Sequence, residues 1–125
     1  MFYSTAGVFD DRLDLTADPP PTEPFDVAVS MLVLHHIEDT AAALAAVHRL
    51  LRPGGRIALV DLDTEDGSFH TAEAEGIHHH GFDRVRIEGL SRSAGFEDVA
   101  TRTAATIDDS ETGGSYPAFL LTGRA

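Results

Sequence analysis

At 125 residues and 13.4 kDa the chain has material for one domain with one modest core, and none for a separate second domain. A formal net charge of -12, with no lysine and nine arginines of which no two are adjacent, excludes a general nucleic-acid binder, because phosphate contacts need clustered cations. Cysteine is absent, which rules out a disulfide framework and thiolate chemistry; no apolar run reaches membrane-spanning length and no basic-then-apolar leader opens the chain, so a cytoplasmic protein is expected.

Residues 1–24 show little sustained periodicity and read as an extended N-terminal segment, with Pro19, Pro20, Pro21 and Pro24 forming a stiff connector and residues 12–15 the one short strand expected there. The character changes at Phe25. FDVAVSMLVL is a nearly unbroken apolar run rich in Val, the pattern of a strand buried on both faces in a parallel sheet. Asp39 or Thr40 can cap the Ala-rich stretch that follows, where Leu44, Val47 and Leu51 recur at helical spacing until Pro53, Gly54 and Gly55 stop it.

Residues 56–62 form a second apolar strand, so that strand, helix and strand make one right-handed crossover. Residues 64–81 are polar, acidic and rich in His, and are expected to be a loop or irregular helix over one end of the sheet. Ile87, Leu90 and Ala94 mark a helix over 82–94 that ends at Gly95. A strand over 98–107, the turn-rich DDSETGGS and a last strand over 116–123 complete the chain, and the short link makes these two an antiparallel hairpin.

Four phrases in this order, FDVAVSMLVLHHI, LLRPGGRIALVDLD, HHHGFDR and AGFEDV, resemble the small-molecule branch of the class I S-adenosylmethionine-dependent methyltransferases, in their C-terminal half only. The resemblance runs from about Leu13 onward and implies an α/β, partial Rossmann-like fold. Residues 25–125 would form a half-domain on a mostly parallel sheet of about four strands, the last one antiparallel and inserted between its two predecessors. It also implies S-adenosylmethionine as cofactor and a small-molecule methyl acceptor, while charge and composition point to neither nucleic acid nor membrane as partner. The family's glycine-rich turn has no counterpart: none of the eleven glycines forms a G-x-G pair. Without that turn the backbone cannot approach the ligand closely, so the chain is expected to be inactive alone.

By resemblance, Asp14 corresponds to the acidic position that meets the adenine amino group, and Ser30, Met31 and Leu32 to the segment lining the methionine part. His35 and His36 stand where the family presents substrate-side residues. The plainer reading of Asp14 is a solvated loop carboxylate. A neutral imidazole at His35 or His36 can act as general base, but adjacent residues at a strand end point apart, so at most one faces the site.

His78, His79 and His80 invite a metal reading, yet three consecutive side chains rarely converge on one ion, and no metal is expected. Asp61 and Asp63 are read as ordering or capping the loop that follows them. A sheet without its first strand would leave VAVSMLVL as a bare edge, which invites a homodimer through that edge or a companion chain.

Overall fold

The computed structural model describes residues 2–4, 7–9, 23–69, 76–110 and 113–125. Six strands form one sheet: β1 (Phe2–Ser4), β2 (Gly7–Phe9), β3 (Phe25–Met31), β4 (Leu51–Leu62), β5 (Glu97–Asp108) and β6 (Ser115–Arg124), in the order β2-β1-β3-β4-β6-β5. β3 and β4 pair in parallel, while β6 lies antiparallel between β4 and β5. Three of the four long strands therefore share one direction and the last runs against them, as expected.

Helix α1 (Thr40–Leu50) begins at Asp39, whose side chain accepts from the Ala42 N–H at 3.0 Å. Ala43, Leu44, Ala46 and Leu50 are its buried stripe. It stops before Arg52, because a residue ahead of proline is pushed out of helical conformation, and Leu51 already starts β4. Gly54 takes φ +80 and its N–H donates to the Ala125 carbonyl at 2.8 Å, while the Ala125 N–H donates to Gly55. The RPGG turn thus also tethers the C-terminal end of β6.

Helix α2 (Arg84–Ser93) is capped by Asp83, which accepts from the Arg86 N–H at 2.9 Å, and it ends at Gly95 with φ +113. A Cβ on Gly95 would meet the His48 ring at 2.8 Å, so both the turn and the packing demand glycine there. α1 and α2 cover one face of the sheet. Between them and the strands lies the main core, with Leu44, Ile87, Phe119 and Leu121 at or below 1% exposure. Each such side chain contributes about 1.5–3 kcal/mol by leaving water. On the opposite face a smaller cluster joins Leu62, Tyr116 and Ala118, with Phe69 edge-on to Tyr116.

Three features depart from the sequence reading, the first being that β4 starts at Leu51 and not at residue 56. β3 ends at Met31, because Leu32 adopts φ +53 and turns the chain into a 3-10 turn, Leu34–His36, so the apolar run LVL does not prolong the strand. Its edge is also not bare: β1 pairs antiparallel with it at Val27 and Ala28, and β2 pairs with β1. Three-residue strands are too short to show a period, which is why the sequence did not announce them. Among the described residues no helix is long and apolar enough to cross a membrane.

Candidate functional site

The carboxyl ends of β3 and β4 meet at a buried histidine–aspartate pair. Leu34–His36 follows β3 directly, and its tight turn places the two histidine rings 4.3 Å apart but in different surroundings. His35 is 2% exposed, whereas His36 is exposed and its Nδ1 lies 3.0 Å from the Gly76 carbonyl.

Asp61 ends the series Ile57, Leu59, Asp61 on the helix-covered face of β4, and it is fully buried. Its carboxylate collects three donors: the His35 N–H at 3.1 Å, the His35 Nδ1 at 2.8 Å and the Leu62 N–H at 2.8 Å. A carboxylate can only accept, so His35 carries its proton on Nδ1, and Nε2 is the atom that takes or gives a proton. The sequence reading gave Asp61 a role in ordering the loop. Strand alternation from Ile57 is the signal that places it inside instead.

Asp63, one turn of the pleat further on, holds the Arg84 guanidinium through two bonds of 2.7 Å each, and Arg84 also donates to Thr103 at 3.0 Å. The Asp63 hydrogen bond raises the Arg84 pKa above its ordinary value against a smaller opposing effect of burial. This pair ties the end of β4 to the first turn of α2. It orders the framework, as expected for Asp63.

The two described legs of the long loop, 64–69 and 76–81, are non-helical and return to each other at an isolated parallel bridge between Asp63 and Phe82. His79 is turned inward: its Nε2 lies 3.0 Å from the Ile37 carbonyl, 3.1 Å from that of Glu38 and 3.2 Å from Thr40 Oγ1. His80 points toward Glu65, at 3.5 Å, and His78 is exposed. The three consecutive histidines therefore diverge. Among the described residues no three His, Cys, Asp or Glu side chains are grouped to hold a metal ion.

Of the cofactor-side residues, Asp14 lies outside the described residues. Ser30 and Met31 line an apolar pocket of about 220 Å³ between the end of β3 and α1, together with Val33, Leu34, Ile37 and Val47. Leu32 is not with them, because its side chain packs against the cluster on the other face of the sheet. A larger open cavity of about 700 Å³ lies between the starts of α1 and α2, with Thr40, His79, Phe82 and Ile87 in its wall. His35 and His36 line neither.

A family profile described as a methyltransferase domain matches residues 4–101. An uncharacterized methyltransferase of Schizosaccharomyces pombe is 33% identical over 96 residues, which cover 71% of this chain and 34% of the relative. Among solved structures, a Thermotoga maritima protein titled an S-adenosylmethionine-dependent methyltransferase and possible histamine N-methyltransferase superposes with a TM-score of 0.69 at 19% identity, over 94% of this chain and 64% of that one. The Haemonchus contortus phosphoethanolamine N-methyltransferase 2 in complex with S-adenosyl-L-methionine superposes with a TM-score of 0.64 at 15% identity, over 89% of this chain and 35% of that one.

The chain belongs to the class I S-adenosylmethionine-dependent methyltransferases. It spans about a third of the length of the yeast relative.

Proposed function

We propose that this chain supplies the acceptor side of a methyltransferase and does not hold S-adenosylmethionine by itself. The observation that carries this reading is the lining of the pocket beside β3, where, among the described residues, Ser30 contributes the one polar side chain beside aliphatic neighbours. S-adenosylmethionine brings an ammonium, a carboxylate, a sulfonium and a ribose diol. Charged and polar groups buried without partners cost several kcal/mol, and one hydroxyl satisfies few of them. The described residues therefore do not fit the whole cofactor, in keeping with the lack of a G-x-G pair.

On the acceptor side the chain offers His35. Asp61 fixes the ring and its tautomer, so that Nε2 can accept a proton from oxygen, nitrogen or carbon of a small molecule. His36, held toward Gly76, is the weaker candidate for that role. Calorimetric titration of the isolated chain with S-adenosylmethionine or S-adenosylhomocysteine is expected to give no binding heat. A micromolar dissociation constant would refute the reading. The absence of cysteine supports a cytoplasmic setting.

A second reading is favoured by Val29, Met31 and Val33, which are 36%, 65% and 51% exposed along the end of β3. Such a row of large apolar side chains suits a companion chain that completes the cofactor pocket, or a second copy in a non-catalytic, self-associating module. Activity that arises only on mixing with a G-x-G-bearing fragment supports the companion. A concentration-dependent dimer that binds no nucleoside supports the self-associating module, and a monomer indifferent to both refutes this second reading.

A further inference from the structure

Residues 76–81 run beside the turn after β3 that carries His35, bonding its backbone carbonyl and the residues on either side of it. Their attachment is mainly polar, with the His79 ring 5.0 Å from that of Phe82 and Ile77 half-buried. The N–H groups of His78 and His79 both donate to the His35 carbonyl, at 3.0 and 3.2 Å. The His79 Nε2 sits among two carbonyl oxygens and the Thr40 hydroxyl, and because carbonyls only accept, that nitrogen carries the hydrogen. His36 Nδ1 reaches the Gly76 carbonyl at 3.0 Å. From the other leg of the loop, the Glu65 N–H donates to the His80 carbonyl at 2.9 Å.

The polar contacts can be exchanged for water at little cost, since each hydrogen bond contributes about 0.5–1.5 kcal/mol net. His78 and His80 are already exposed and His79 is half-buried. The segment is bounded by glycines in the left-handed region, Gly76 at φ +77 and Gly81 at φ +76. Just beyond Gly81 the character reverses, because Phe82 is part of the main core. A loosely fastened strap therefore joins a firmly packed anchor. Beneath it His35 is 2% exposed, too little for its imidazole to touch a dissolved molecule.

We propose that residues 76–81 are a lid over His35, with the His79 ring, seated on Ile37, Glu38 and Thr40, as its latch. Release of the latch lifts the strap between its two glycines and opens the imidazole of His35 to solvent and to an acceptor. The functional meaning rests on His35 serving the acceptor side; the gating of His35 does not, and it is measured without cofactor or acceptor.

The test is hydrogen–deuterium exchange at the imidazole Cε1 position of each histidine in the full chain, followed across pH so that rate and pKa are separated. In the unsubstituted protein His35 is expected to exchange at least about tenfold more slowly than exposed His78, and His79→Ala to accelerate His35 at least about threefold. His48, packed on Phe96 away from the strap, stays unchanged and reports that the fold is intact. His79→Gln, whose amide can donate to the same carbonyls, is expected to return the His35 rate to its original value.

An unaltered His35 rate in folded His79→Ala overturns the proposal. Should that variant not fold, Thr40→Val removes one latch partner at nearly constant shape, and an unaltered His35 rate there overturns it equally. Failure of the cofactor titration, by contrast, leaves these rates untouched.

Discussion

A Cβ built on Gly81 would lie 2.0 Å from the carbonyl oxygen of Asp63, closer than any side chain can sit. The glycine also holds φ +76, a region that L side chains adopt at a cost. This contact explains the glycine in HHHGF. The returning leg of the loop must pass flat against the end of β4 before Phe82 donates its N–H to the Leu62 carbonyl. Gly81→Ala is expected to lower stability by about 2 kcal/mol or more, from backbone strain and the displaced bridge together. Thermal unfolding of the purified variant measures it, and a midpoint within one degree of the parent would show that the leg has another path.

Asp61 gathers both polar hydrogens of His35 and the Leu62 N–H in a site closed to water. Asp61→Ala leaves three donors buried without their acceptor and is expected to cost about 3 kcal/mol or more. Asp61→Asn keeps a carbonyl oxygen and should cost less. Urea titration resolves the two, provided the slope of the transition is unchanged.

The helices start on aspartates of the same type. Asp39 accepts from Ala42 and Asp83 from Arg86, each bonding the N–H three residues on. Replacing either by Ala is expected to remove about 1 kcal/mol, and Ser in its place should retain most of that. Both residues face the 700 Å³ cavity, so the double variant tests whether the two carboxylates repel each other: each single replacement already relieves the repulsion, so a loss larger than the sum reports it.

Asp66 supplies the pH test. Hydrogen bonds from Ser68, through its side chain and its N–H, are the main reason its pKa falls below the usual 3.8, with a lesser contribution from His80. A depressed carboxylate stabilises the fold above its unfolded value and stops doing so as pH falls through the lowered value. The turn at residues 66–68 is therefore expected to hold fully at pH 5 and to loosen below about pH 3.8. Titration of the Asp66 carboxyl and the Ser68 amide by NMR reads this directly, and a midpoint at or above the usual value contradicts it.

Much of the framework was legible because local chemistry and packing agree. The apolar run at Phe25, the cap at Asp39, the stop at Pro53 and the turn at Gly95 each name an element within a few residues of its observed bounds. The site was less legible. Whether His35 or His36 turns inward depends on the φ of +53 at Leu32, a strained value for a leucine that no propensity indicates. Asp61 was in part legible, since alternation from Ile57 and Leu59 points it inward, but its pairing beside Phe119 is set by the distant β6. The pairing of β1 with β3 joins Phe2 to Ala28 and Tyr3 to Val27, a separation in sequence that no short-range pattern carries.

The insertion of Ser115–Arg124 between β4 and β5 also governs when the sheet can be completed. During synthesis both neighbours leave the ribosome before the strand that joins them, so each must wait with an unmatched ladder of backbone groups. The nascent chain therefore stays vulnerable to capture by other unfinished strands until residues 115–124 are free to fill the gap.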